Sequence, residues 1–329
     1  SRKFKALIVK EENGKFIREI TERNIDDLPD NEILINVKYS SLNYKDALSA
    51  SGNKGVTRRY PHTPGIDAAG IVVESKTNKF KVGDNVLVTG YDLGMNTSGG
   101  FGEYIRVPAG WIVGIPKNLS LKESMILGTA GITAALALYR MEQVGLDKNG
   151  EVLVTGASGG VGSMAIAMFS KQGYKMVAGT GKPEQESYLK EIGAASLISR
   201  EEINDGSKKA LLSGRWSGVV DTVGGNILAT AIASAKQWGV VAACGNVASI
   251  ELHTTVFPFI LRGISLLGIN SEKTPIELRE KIWSKLANEW KPPKLDIMYQ
   301  ECSLEETNTK IDAILQGKIK GRVLVNVGK

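Results

Sequence analysis

Residues 152–163 read VLVTGASGGVGS: a short apolar run, a glycine cluster, then a stretch in which Val161, Ala165, Met168 and Phe169 fall at i, i+4, i+7 and i+8. This predicts a buried strand, a tight turn and a helix with one apolar face. The form recurs along the second half of the chain. Strand candidates occur at 152–155, 176–180, 196–199, 218–221, 239–243 and 265–269, with helical patterns at 161–172, 184–192 and 226–237. Short continuous apolar runs suit parallel strands covered on both faces. Alternating β and α implies an α/β, doubly wound sheet with right-handed crossovers, and six strands complete a dinucleotide-binding fold.

The first 120 residues follow another rule. EILINVKYS, AAGIVVES, DNVLVTG and GEYIRVPAGWIVGIP are short alternating stretches bounded by Gly, Pro, Asn and Asp, as in a compact β-rich barrel. Residues 121–141 are helical in pattern, and KIKGRVLVNVG (318–328) is again a strand that should return to the first domain. With 329 residues, two domains are expected: 1–120 with 293–329, and 121–292. The excess of 41 Lys+Arg over 35 Asp+Glu is mild and suits a small anionic ligand. No basic stripe interleaved with aromatics points to nucleic acid. The longest apolar stretch, 131–138, is too short to span a bilayer, and no secretory pattern precedes FKALIVK. Two distant cysteines, Cys244 and Cys302, fit a reducing cytoplasm better than a disulfide framework.

Aligned to G-x-G-x-x-G, the turn runs from Ala157 to Gly162, with Ala157 in place of the first glycine. Gly159 would admit a pyrophosphate close to the backbone, and Gly162 would bring helix and strand together. A helix N-terminus supplies free N–H groups and the positive end of its dipole. The end of the second strand, Ala178-Gly179-Thr180-Gly181-Lys182, carries no acid. An acid there would bind a ribose 2′-OH and repel a 2′-phosphate. Lys182, and Arg200 after the third strand, would attract one, so the expected cofactor is NADPH. A lone lysine on a loop is also commonly just solvated.

The chain resembles the medium-chain dehydrogenase/reductases over nearly its whole length. The resemblance is carried by SSLNYKDAL (40–48), PGIDAAG (64–70), KVGDNV (81–86), GTAGITA (128–134), TGASGGVGS (155–163), DTVGG (221–225) and AACG (242–245). NYKDAL, TTVFPFILRG (254–263) and IKGRVLVNV (319–327) are most similar to the zinc-free, quinone-oxidoreductase-like branch, and within it to bacterial acrylyl-CoA reductases. The resemblance implies a GroES-like barrel beside a Rossmann sheet. It implies the reaction acrylyl-CoA + NADPH + H⁺ → propionyl-CoA + NADP⁺, with reduction of a quinone or other α,β-unsaturated carbonyl as the alternative and non-catalytic NADPH binding as a third reading. Zinc-dependent relatives carry Cys where this chain has Asn43 and His-Glu where it has Ile66-Asp67, and they carry a four-Cys lobe it lacks, so no metal is expected. An alkene conjugated to a carbonyl needs none, because the carbonyl oxygen takes up the charge.

By matching position, the resemblance places Asn43 and Tyr44 at the nicotinamide. Tyr44 could donate a proton or wall the pocket, and Asn43 could equally be a turn residue; Asp46 should fix the loop. Further cofactor contacts carried over are Ser158, Gly159, Gly160, Val161, Thr180, Gly181, Lys182, Arg200, Asn246, Ile260, Ser271 and, from the C-terminal segment, Gly317 or Lys318. Arg58 and Arg59 could meet coenzyme A phosphates or stand on a solvated face. His62 lies between prolines and reads as structural, and Cys244 as a buried small hydrophobe near the cofactor. Asp221 could bind ligand or cap a turn. SLLGINS (265–271) should be the edge strand, and an unpaired edge joining a copy of itself would make a homodimer.

Overall fold

The computed structural model describes residues 2–329. The chain forms two compact units. The first holds the residues up to Thr129, Ser271–Asn288 and Tyr299–Lys329. The second holds Ala130–Asn270 and Glu289–Met298. The boundaries read from sequence put 121–292 in one domain; here 121–129 and 271–288 pack with the first unit. The reason for 271–288 is visible at Arg279, which is buried and donates to the Thr89 hydroxyl at 2.8 Å and the Ser271 carbonyl at 2.7 Å.

The first unit is built on a seven-stranded sheet. Its central strand, Ile33–Leu42, pairs antiparallel with Asp67–Ser75, Tyr104–Val107 and Arg322–Asn326. The last of these is the expected return of the C-terminal segment. Tyr299–Ser303 lies outside it, and Asn85–Thr89 and Ile112–Gly114 extend the other side. A separate hairpin, Lys3–Glu12 with Lys15–Asn24, turns at Asn13-Gly14, both left-handed as a two-residue hairpin turn requires. Inward residues such as Leu7, Val9, Ile35, Val72, Phe101 and Val325 form one core.

The second unit carries a six-stranded parallel sheet. In chain order its strands are Glu151–Val154, Lys175–Thr180, Ala194–Ser199, Trp216–Asp221, Ala235–Ala243 and Ser265–Gly268. In space the order is 3-2-1-4-5-6, the dinucleotide-binding order. Trp216–Asp221 is buried along its whole length, Ser217 and Asp221 included. The helix expected over 226–237 is Gly225–Ala233, and the next strand starts at Ala235. Thr230 and Ser234 hydroxyls donate back to the Asn226 and Thr230 carbonyls, at 2.8 and 2.6 Å, which weakens the last turn. Ala235 then pairs with Trp216, and the strand bulges through Trp238 (φ +62°) before rejoining at Val240.

The helix Leu121–Gln143 is long and apolar enough to cross a membrane by length and composition, yet 78% of its most apolar window is buried within the protein. It is interrupted at Gly128, which has φ +53°. That position also belongs to the site described next.

Candidate active site

The glycine turn begins one residue earlier than the motif alignment suggests. Gly156 has φ +59°, and a Cβ there would lie 2.3 Å from Thr222 Oγ1. Gly156, and not the position of Ala157, therefore makes the tight turn; Ala157 donates its N–H to the Gly179 carbonyl at 3.1 Å and accepts the Ser163 hydroxyl at 3.2 Å. Gly159 caps the helix Gly160–Lys171 in an extended conformation. A Cβ on Gly159 would meet only Gly156 O at 3.4 Å, so its smallness leaves the backbone open rather than packed. A Cβ on Gly162 would lie 2.3 Å from Gly156 O and 2.8 Å from Ala157 Cα, so the helix rests directly on the turn. Ser158 is buried, and Gly160 and Val161 are half-buried in the first turn. Backbone N–H groups of a first helical turn have no intrahelical partner, which makes this an anion cradle.

The second cluster lies where Lys175–Thr180 ends. Thr180 is buried, and its Oγ1 accepts the Lys182 N–H at 3.0 Å. Ser199 pairs with Thr180 on the neighbouring strand, so Arg200 emerges beside Gly181. A Cβ on Gly181 would lie 2.9–3.2 Å from the Arg200 guanidinium. Glycine at 181 is therefore what lets Arg200 lie across the backbone. Among the described residues Arg200 has no acidic partner. The strand end thus gathers a hydroxyl, a lysine and an arginine, with no acid from 178 to 182.

In the first unit, Asn43, Ile66 and Asp67 come together, as the comparison with zinc ligands requires. Asp67 is fully buried. Its Oδ2 accepts the Ser41 hydroxyl at 2.7 Å, Asn43 Nδ2 at 2.8 Å and the Thr129 N–H at 2.9 Å, and its Oδ1 accepts the Thr129 hydroxyl at 2.5 Å. Arg322 completes the network: its Nη2 lies 3.9 Å from Asp67 Oδ2, while Nε and Nη1 donate to the Ile126 and Leu42 carbonyls at 3.0 and 3.2 Å, and Nη1 also to Asn43 Oδ1 at 3.2 Å. A Cβ on Gly128 would lie 2.6 Å from Arg322 Nη2, Asp67 Oδ2 and Ser41 Oγ, so the helix interruption makes room for this cluster.

Asp46 holds the loop as expected. It accepts the Asn43 N–H at 2.8 Å and the Ile66 N–H at 2.8 Å. Burial, and then the nearby Asp67, push its carboxyl up to about 7. Tyr44 opens the helix Tyr44–Ala50 and is 38% exposed, so its phenol faces outward from this rigid base.

Comparison with known proteins gives the frame for these sites. Residues 29–117 match the model for the alcohol dehydrogenase GroES-like domain, and 160–288 that for zinc-binding dehydrogenases. The acrylyl-CoA reductase AcuI of Ruegeria pomeroyi is 41% identical over 327 residues, covering 98% of this chain and 99% of the relative. This chain belongs to the medium-chain dehydrogenase/reductase family. The YhdH oxidoreductase of Salmonella enterica, solved in complex with NADP, superposes with a TM-score of 0.96 at 39% identity, over 98% of this chain and 99% of that one. The Bacillus subtilis protein YhfP, solved with NAD bound, gives 0.97 at 45%, over 99% and 100%.

The family includes zinc enzymes, but the residues present here do not fit a divalent cation. Asn43 and Ile66 stand where the thiolate and imidazole would be, and Asp67 already faces four donors and a buried guanidinium. The Arg322 guanidinium, 3.9 Å away, offsets the buried Asp67 charge.

The remaining sequence candidates divide between the units. Asn246 is exposed just after the strand Ala235–Ala243, near Gly224, and Ile260 is 68% exposed on the helix Phe257–Arg262. Ser271 and Gly317 lie in the first unit: the Ser271 carbonyl accepts from Arg279, and Gly317 (φ +69°) follows the helix Thr307–Leu315. Asp221 caps its turn, accepting from Thr155 Oγ1 at 2.7 Å and Gly224 N at 2.8 Å. His62 is buried against the Gly94 carbonyl at 2.8 Å, and burial lowers its pKa. Cys244 is half-buried, and desolvation, then the nearby Asp221, raises its thiol pKa. Arg58 and Arg59 are both exposed. Arg322 and Gly128 were not singled out in the sequence; the signal was a lone arginine opening the apolar strand RVLVN.

Proposed function

We propose that this chain is an NADPH-dependent reductase of conjugated carbonyl compounds, acting on the C=C bond of enones or acrylyl thioesters or reducing a quinone to its hydroquinone. The observation that carries the cofactor choice is Arg200 lying across Gly181 beside Lys182 and Thr180. Relatives solved with NADP and with NAD leave that choice to the strand end, and here it offers two cations and a hydroxyl to a 2′-phosphate. The first-turn N–H groups from Gly160 to Gly162, with Ser158, would hold the pyrophosphate. When bound, NADPH supplies a hydride.

What this chain adds is position and a proton. The Asp46–Asn43–Asp67–Arg322 network fixes the backbone from which Tyr44 projects, so the phenol can stand over a substrate with little reorganisation. The Tyr44 hydroxyl would donate to the substrate's carbonyl oxygen or to its α-carbon as charge develops. A conjugated carbonyl accepts that charge itself, which suits a site whose metal-ligand positions are filled by Asn43 and Ile66.

We further propose that the second unit pairs with a copy of itself. Ser265–Gly268 is bonded on one side only, to Ala235–Ala243, and Trp238, Ile260 and Leu261 are exposed nearby. A two-fold axis would continue the sheet and cover them. With Cys244 and Cys302 both free, a cytoplasmic setting fits. The test is NADPH oxidation at 340 nm with acrylyl-CoA, crotonyl-CoA and a small quinone in parallel. Turnover with at least one is expected; none, with NADPH bound, would leave a non-catalytic binding protein.

A further inference from the structure

We infer that Arg279 is a positioning residue for the reduction: acting through Glu272 and Lys45, it braces the start of the helix Tyr44–Ala50 and so holds the Tyr44 hydroxyl where it must deliver its proton. This rests on the reading of the chain as a conjugated-alkene reductase with Tyr44 as its acid, and adds what keeps that acid in place.

Arg279 is fully buried on the helix Ile276–Ala287, and its hydrogen-bond acceptors are carbonyls and a hydroxyl rather than a carboxylate. Nη1 donates to the Thr89 carbonyl and, at 2.8 Å, to the Thr89 hydroxyl. Nη2 donates to the Ser271 carbonyl at 2.7 Å and the Glu272 carbonyl at 3.1 Å. The guanidinium lies over the Tyr91 ring, 4.3 Å from its centroid, and Nε is buried without an acceptor. A buried cation held this way carries a desolvation penalty that a well-packed apolar side chain would avoid. What the planar fork adds is geometry: it locks the end of the strand Asn85–Thr89 to the segment that begins at Ser271.

The two segments are joined further along. The Tyr91 N–H donates to the Glu272 carbonyl at 2.8 Å, and the Tyr91 hydroxyl to the Thr274 carbonyl at 2.9 Å. A Cβ on Gly90 would lie 3.1 Å from Glu272 Cα and its carbonyl oxygen, so the backbones touch. From this clamp one link runs to each neighbour of Tyr44. The Glu272 carboxylate binds Lys45 Nζ at 3.0 Å, with both side chains partly buried. On the other side the Gly90 N–H donates to the Ile66 carbonyl at 2.9 Å, the Ile66 N–H to Asp46 Oδ1 at 2.8 Å, and the Asn43 N–H to Asp46 Oδ2 at 2.8 Å. Tyr44 stands between Asn43 and Lys45 and is held through both. An ion pair between two mobile side chains fixes little. Here the Glu272 backbone is immobilised by Tyr91 and Arg279, so the pair transmits position to the helix. Misplacing a reacting group by about 1 Å can cost on the order of 10²-fold in rate.

The experiment uses the full-length enzyme with Arg279→Lys and Glu272→Gln, each made with Tyr44 intact and in the Tyr44→Phe background. It measures kcat and KM for NADPH-dependent reduction of a conjugated alkene that the wild type turns over. With Tyr44 intact, kcat should fall about 10- to 100-fold in Arg279→Lys, whose single ammonium cannot span both sets of acceptors, and roughly fivefold in Glu272→Gln, with alkene KM unchanged. In the Tyr44→Phe background neither substitution should lower kcat further. Equal losses with and without the hydroxyl would show a merely structural role and overturn the inference, as would an unaltered kcat or a rise in alkene KM at constant kcat. If Arg279→Lys does not fold, Glu272→Gln decides alone, since its partly exposed carboxylate is not needed for folding. Full kcat in Tyr44→Phe would overturn the inference while the reductase reading stands. A wild type inert towards every conjugated alkene would defeat that reading itself.

Discussion

Arg200→Ala tests the strand-end geometry. The guanidinium lies 2.9–3.2 Å from where a Gly181 Cβ would be, beside Lys182 and the Thr180 hydroxyl. A hydrogen bond to a charged group contributes about 1.5–3 kcal/mol, and Arg200 is exposed, so solvent screening argues for the lower end. That corresponds to roughly a tenfold loss in NADPH affinity. NADH, which lacks the phosphate, should bind as before. Gly181→Ala offers an independent check: it keeps both cations but drives the guanidinium aside, so it should weaken NADPH by a similar factor. Thr180→Asp should do more, adding repulsion to the phosphate and an acceptor for the ribose of NADH. The assay is kcat/KM for both cofactors at a fixed alkene concentration, with Kd by fluorescence titration. Equal losses for NADH and NADPH in Arg200→Ala, or an unaltered NADPH affinity, would refute the assignment.

Arg322→Met should cost about 3–5 kcal/mol in denaturant unfolding, because Asp67 stays buried without its cation and the Leu42 and Ile126 carbonyls lose a donor; a change below 1 kcal/mol would contradict the network. Tyr44→Phe should lower kcat roughly 10²-fold if the hydroxyl is the acid, whereas an unchanged kcat would make Tyr44 a wall and water the donor. Asp46 is held up to about 7 against an ordinary value near 3.8, so the folded state binds the extra proton between those limits. Its contribution is therefore complete below about pH 4 and is lost as pH rises through 7. Unfolding free energies of wild type measured against Asp46→Asn should fall across that window by up to about 1.4 kcal/mol per pH unit, and a flat difference would show that Asp46 is ionised throughout.

Much of the fold is legible because inner parallel strands leave short apolar runs; the edge strands Ala194–Ser199 and Ser265–Gly268 are partly exposed yet still lie where the pattern places them. The strand-end cluster is legible as an absence of acid plus Lys182 and Arg200, although only the structure shows that the missing Cβ of Gly181 lets Arg200 lie across the backbone. The turn was read one residue late because the motif counts glycines, whereas φ +59° and the clash with Thr222 single out Gly156. Asn13-Gly14 is a two-residue hairpin signal, and both residues are left-handed where Lys3–Glu12 turns into Lys15–Asn24. The Asp67–Arg322 pair could not be read, since 255 residues separate partners that meet only through the pairing of Leu42 with Val323. Residues 271–288 join the first unit for a similar reason: the buried Arg279 looks like any helix-surface arginine in sequence, yet its acceptors lie at Thr89 and Ser271.

Reduction of an enone or acrylyl thioester with NADPH deuterated at the transferable position of the nicotinamide, followed by NMR and mass analysis of the product, distinguishes the proposed chemistry from carbonyl reduction. The expected product is saturated, with its carbonyl intact and one deuterium on the β-carbon. An alcohol carrying deuterium on the former carbonyl carbon, with the alkene retained, would contradict it.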